Sequence, residues 1–155
     1  MSKPILSLDF DGVIHGYQSG WKGAADIPDP PVDGALRFIV ESLDHFEVCI
    51  FSSRSHQWGG RRAMRRWLKN HLMNLAATPE TTPDWLMRHI HAFADPWPDE
   101  IDYHIGRLVG GIKFPLFKPA AMVSIDDRAI NFDGNWPEIS SLLSFRPWNK
   151  RKAKK

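Results

Sequence analysis

Residues 5–13 read Ile-Leu-Ser-Leu-Asp-Phe-Asp-Gly-Val, and this stretch decides the fold. The run Ile5–Phe10 is short, largely apolar and followed by Asp11-Gly12, which predicts a buried strand ending at a turn. Two similar runs lie downstream. Val48–Phe51 ends at Ser52-Ser53-Arg54-Ser55, and Met122–Ile125 ends at Asp126-Asp127. Helical patterns separate them. Asp33 is placed to cap a helix in which Leu36, Ile39, Val40 and Leu43 recur at i, i+3, i+4, i+7. Gly59-Gly60 precede a helix with Met64, Trp67, Leu68 and Leu72 on one face and Arg61, Arg62, Arg65, Arg66 and Lys69 on the other. Shorter helices are expected over Asp84–Phe93, Glu100–Leu108 and Trp136–Leu143, the last with Pro137 in its first turn. Gly110–Phe117 reads as a strand or a loop. Strands alternating with helices imply an α/β fold, a Rossmann-like three-layer α/β/α sandwich around a mostly parallel sheet covered on both faces.

A chain of 155 residues has room for one domain with one core. Its 43% hydrophobic and 25% charged residues exclude wholesale disorder, and no apolar run approaches the roughly 18 residues of a membrane helix. No secretory signal is visible at the N-terminus. Cys49 is the single cysteine, which excludes an internal disulfide and a cysteine-based zinc site. A cytoplasmic location fits these features. The net charge of +2 is uneven. Six basic residues and no acid occur from Arg146 to Lys155, which leaves 14 basic against 18 acidic residues, −4, over residues 1–145. Residues 1–145 read as the domain and 146–155 as a basic tail, either a frayed solubilising end or an electrostatic arm for nucleic acid.

The three strands end in polar groups, and ligands of an open parallel sheet bind outside the carboxyl ends of its strands. Asp9, Asp11, Asp126 and Asp127 are therefore expected to converge. Four carboxylates brought together repel one another unless a cation lies among them. An all-oxygen set suits Mg²⁺, which neutralises phosphate in phosphoryl transfer.

Asp9-x-Asp11-Gly12-Val13 after a first strand, a strand-terminal Ser52 and a strand-terminal Ile125-Asp126-Asp127, in that order, resemble the haloacid dehalogenase superfamily of phosphotransferases. The resemblance spans most of the chain. It implies that Asp9 is the nucleophile that forms an aspartyl-phosphate. Asp11 would be the general acid and then the base, with its backbone carbonyl on Mg²⁺. Ser52 would hold a phosphoryl oxygen, helped by nearby backbone amides. Asp126 and Asp127 would complete the metal set. The family's lysine falls on Lys118, eight residues before Asp126, or on Lys113. If Met122–Ile125 is a strand, Lys118 lies about 13 Å from the carboxyl end, near the wrong end of it.

Ser53-Arg54-Ser55 followed by Gly59-Gly60 also resembles the phosphatase halves of polynucleotide kinases. That implies phosphate binding by Gly12, Ser53 and Arg54, and a nucleotide or nucleic-acid end as the phosphorylated substrate. Only residues 13–32 and 54–117 are available as insertions, so any cap is minimal and the site open. Tyr17 and Trp21, on the long first loop, either shape a substrate pocket or staple the loop. Trp67 and Trp136 read as core, and the arginine face of residues 61–69 as solvated. His89, His91 and His104 lack the partners of a transition-metal site. Two other classes compete with the phosphatase: a receiver-type signalling domain, whose acids occur in a different strand order, and a non-catalytic Mg²⁺-binding module. A phosphatase of a small metabolite or a phosphoprotein is the alternative within the enzyme class.

Overall fold

The computed structural model describes residues 2–90 and 100–151 of the chain. Its strands are β1 (Ile5–Leu8), β2 (Glu47–Ile50) and β3 (Val123–Ile125). They form one open parallel sheet in the order β2-β1-β3. Leu6 pairs with Val48 on one side and Val123 on the other, and Leu8 with Ile50 and Ile125. The ladder continues past the strand ends, where the Asp9 amide donates to the Ile125 carbonyl at 2.9 Å and the Phe51 amide to Leu8 at 3.0 Å. Asp9, Ser52 and Asp126 consequently leave the sheet at the same edge.

The helices are α1 (Ala35–Ser42), α2 (Gly60–Leu75), α3 (Asp84–Ile90), α4 (Ile101–Gly110) and α5 (Ile139–Leu142). None of the described helices is long and apolar enough to cross a membrane. The expected apolar faces are buried: Leu36, Ile39 and Val40 on α1, and Met64, Trp67, Leu68 and Leu72 on α2. The arginines of α2 are solvent-facing, and Lys69 pairs with Asp102 of α4 at 2.8 Å. One core joins these residues to Leu6, Leu8, Val48 and Ile50. Cys49 is also buried, and burial pushes its thiol pKa up, as expected of an inert core cysteine.

Several local expectations change. Asp33 does not cap α1, because Gly34 occupies the N-cap with a φ of 78° and no side chain bonds the first turn. The helix expected over Asp84–Phe93 is described to Ile90, and residues 91–93 lie outside the described residues, as does His91. Gly110–Phe117 makes one parallel bridge, Lys113 to Cys49, and is otherwise not strand. The helix expected from Trp136 shortens to four residues, with Pro137 ahead of it rather than inside its first turn. The sheet is also less covered than expected. β1 and β2 are buried after their first residue, but β3 is exposed along its length. Trp136, read as core, is 87% exposed, whereas Trp67 is buried.

Candidate functional site

Asp9, Asp126 and Asp127 each present a carboxylate oxygen within 4.8 Å of the others. The geometry follows from the sheet. Parallel pairing of β1 with β3 places the residues after Leu8 and Ile125 side by side, so both acidic segments emerge together. Burial first, and then the nearby Asp126, Asp127 and Asp11, raise the Asp9 pKa to about 7 against a backbone hydrogen bond from Phe10. Burial likewise raises that of Asp127.

Both Asp127 oxygens are buried without a hydrogen-bond partner among the described residues, and the nearest cation is Arg128 Nε, 3.8 Å from Oδ1. A buried carboxylate with unused lone pairs is costly. The donor set is therefore one that a hard, oxygen-seeking cation such as Mg²⁺ fits. Gly12 keeps the space open. Its φ is 86°, and a Cβ there would meet Asp127 Oδ2 at 2.5 Å.

Asp11 does not join this cluster by its side chain. Arg54 Nε donates to Asp11 Oδ2 at 2.8 Å and Oδ1 at 3.1 Å, and His15 Nδ1 lies 2.8 Å from Oδ1. Burial would raise the Asp11 pKa, but the His15 and Arg54 hydrogen bonds outweigh it and hold the carboxyl below its usual range. The Asp29 backbone N–H occupies His15 Nε2 at 3.1 Å, which assigns the His15 proton to Nδ1, from where it donates to Asp11. The expected convergence of four carboxylates is thus three around a cation-sized gap and one held aside.

Arg54 was expected to face a phosphate; its side chain is instead fully buried. Nε holds Asp11, and Nη1 donates to the carbonyls of Gly23, Ala24 and Asp26 at 2.7, 3.0 and 3.1 Å. Trp21 stacks over the guanidinium at 4.7 Å. Only Nη2 lacks a partner among the described residues. Arg54 therefore staples the 13–32 loop to the site, and Asp29 ties that loop to itself by accepting from the Ser19 amide at 2.7 Å and hydroxyl at 2.5 Å. Trp21 is part of that staple. Tyr17, at a φ of 60°, lies 5.6 Å from Arg128 at the rim.

Ser52 is buried and caps the turn Ser53–His56: its hydroxyl accepts from the Arg54 amide at 3.3 Å, and Ser55 Oγ accepts from the Ser52 amide at 3.1 Å. The Ser52 hydroxyl proton goes to no described residue. Ser53 is exposed beside it. The tight turn requires Gly60, where a Cβ would collide with the Arg54 carbonyl.

The two lysines part company. Lys113 pairs with Glu47, the first residue of β2, at 2.8 Å, and so points toward the amino end of the sheet. Lys118 is exposed and ion-pairs with no described acid. Its neighbour Phe117 contacts His56, which packs on Phe51 at 5.6 Å, with ring centroids 6.3 Å apart in the former pair. The segment after Lys113 has therefore run beside β2 to the carboxyl end before turning back to Met122, whose amide donates to Ile5. The 13 Å reach anticipated from the strand length disappears, because Lys118 precedes that return leg.

Two residues with no sequence signal also belong to the site. His15 differs from any other buried histidine only by lying four residues after Asp11. Trp148, in the segment read as tail, donates from Nε1 to the Gly12 carbonyl at 2.7 Å. A scan against protein-family models and searches of curated proteins and solved structures found no match to this chain.

Proposed function

We propose that this chain is a Mg²⁺-dependent phosphomonoester hydrolase working through an aspartyl-phosphate on Asp9, on a haloacid-dehalogenase-like three-layer fold with a minimal cap. The observation that carries the reading is the Asp9, Asp126 and Asp127 cluster at the carboxyl end of a parallel sheet, with both Asp127 oxygens buried and unsatisfied. Asp9, Asp126, Asp127 and the Asp11 carbonyl would hold the ion, which when bound offsets carboxylate repulsion and neutralises the phosphoryl oxygens.

An Asp9 oxygen attacks phosphorus, the ester P–O bond breaks, and the leaving oxygen takes a proton that Asp11 draws from solvent water and passes on. Water then attacks the aspartyl-phosphate, Asp11 accepts its proton, and the Asp9 O–P bond breaks to release inorganic phosphate. His15 holds its Nδ1 proton against Asp11, and Arg54 orients the Asp11 carboxylate. Ser52, the adjacent amides and Lys118 supply donors for the phosphoryl oxygens. The substrate class favoured is a nucleotide or a nucleic-acid end.

One observation favours a second reading. With both Asp11 oxygens engaged by Arg54 and His15, a Mg²⁺-binding module without turnover is the alternative. Purified protein with Mg²⁺ should hydrolyse p-nitrophenyl phosphate, and Asp9→Asn should abolish this. Mg²⁺ binding without hydrolysis by the wild type would select the module, and activity retained in Asp9→Asn would remove Asp9 as nucleophile.

A further inference from the structure

The C-terminal segment is joined to the catalytic loop. Trp148 Nε1 bonds the carbonyl of Gly12, the residue that follows Asp11 and abuts Asp127. This anchor holds residues 146–151 beside the candidate site. Arg146, Lys150 and Arg151 line one cavity of about 590 Å³ with Ser144 and Phe145. All three cations are exposed, and none forms an ion pair among the described residues. They are oriented by local bonds: Arg146 Nη1 donates to the Phe145 carbonyl at 2.9 Å, and Arg151 Nε to the Arg146 carbonyl at 3.0 Å.

An exposed aromatic ring accompanies these charges. Trp148, between Arg146 and Lys150 in the chain, is 53% exposed. Unpaired cations beside an exposed aromatic ring are a combination that holds single-stranded nucleic acid, with phosphates on the cations and a base on the ring. An acidic protein surface would use the charges and leave the Trp148 ring without a partner.

We infer that residues 146–151 form a binding surface for the sugar-phosphate backbone of a single-stranded nucleic acid whose terminal phosphate enters the Asp9 site. The inference rests on the phosphatase reading for what happens to that terminal phosphate. The surface makes the substrate a strand rather than a free mononucleotide, since three cations beside the site have nothing to hold on a single nucleotide already in it.

The test compares the full chain with the triple variant Arg146→Ala/Lys150→Ala/Arg151→Ala and the charge-keeping variant Arg146→Lys/Arg151→Lys. Binding of a fluorescent single-stranded oligonucleotide is followed by anisotropy, and turnover of 3′- and 5′-phosphorylated oligonucleotides is compared with p-nitrophenyl phosphate. Single strands lose about 0.7 log units of affinity per log unit of salt for each phosphate contact, so three contacts contribute a slope of about −2. The triple variant should lose that part of the slope and bind about tenfold more weakly at low salt, with p-nitrophenyl phosphate turnover unchanged. The charge-keeping variant should retain the slope.

Equal affinity and slope in the wild type and the triple variant would overturn the inference, as would absence of oligonucleotide binding by the wild type. Loss of the slope only in the triple variant, in a protein that hydrolyses no phosphomonoester, would support the surface and overturn the phosphatase reading.

Discussion

Replacing Asp9 with Asn should stabilise the metal-free protein, and the gain should depend on pH in a defined direction. The Asp9 pKa rises from 3.8 to about 7 on folding, mainly through burial and then through Asp126, Asp127 and Asp11. Below about pH 3, Asp9 is largely protonated in both folded and unfolded chains and contributes no difference, and near pH 4 the difference is still small. Between pH 4 and 7 the folded state holds a proton that the unfolded state has released, so stability falls as pH rises. Above pH 7 Asp9 is ionised in both states and the full penalty is present. A shift of about three units corresponds to about 4 kcal/mol, an order-of-magnitude figure for one group. Asn has nearly the same shape and cannot ionise, so it removes that penalty. Urea unfolding in chelator should therefore give Asp9→Asn an advantage of up to about 4 kcal/mol at pH 8 and little at pH 4. Adding Mg²⁺ at pH 8 should stabilise the wild type by mass action and the variant less. An advantage that is the same at both pH values would refute the reasoning, as would a variant less stable than the wild type at pH 8 in chelator.

Arg54→Lys should fail to replace arginine, because one ammonium cannot hold both Asp11 oxygens and three loop carbonyls at once. Breaking one side of this buried pair should cost about 3–5 kcal/mol in thermal or urea unfolding, with faster proteolysis within residues 13–32; wild-type stability would show that the staple is not formed. Lys118→Ala should reduce p-nitrophenyl phosphate turnover at least tenfold, whereas Lys113→Ala, which breaks only the surface pair with Glu47, should leave it unchanged and cost under about 1 kcal/mol. The reverse pattern in kcat would assign the phosphate-pairing role to Lys113.

Much of the framework was legible along the chain. The strands around Leu6, Val48 and Ser124, and the buried faces of α1 and α2, follow from local apolar patterns that burial rewards whatever the long-range arrangement. The acidic residues were legible as a set because parallel strands present their carboxyl ends at one edge. The end of the chain was harder to read. Trp136 has the composition of a core residue, yet it is exposed, since a single short α5 offers no apolar surface for it to enter.

Residue types and their order along the chain were enough to reach an α/β fold with Asp9, Asp126 and Asp127 at one edge of the sheet. What Asp11 and Arg54 do could not be read there, because each is defined by partners far away: Arg54 lies 43 residues from Asp11 and about 30 from the carbonyls it binds. The position of Lys118 depended on which way residues 113–117 run beside β2, which one bridge to Cys49 and the Phe117–His56 contact decide. Trp148 meets Gly12 across 136 residues. Local pattern reports which side chains avoid water, whereas the direction in which a buried charge or donor finds its partner is a property of the closed fold.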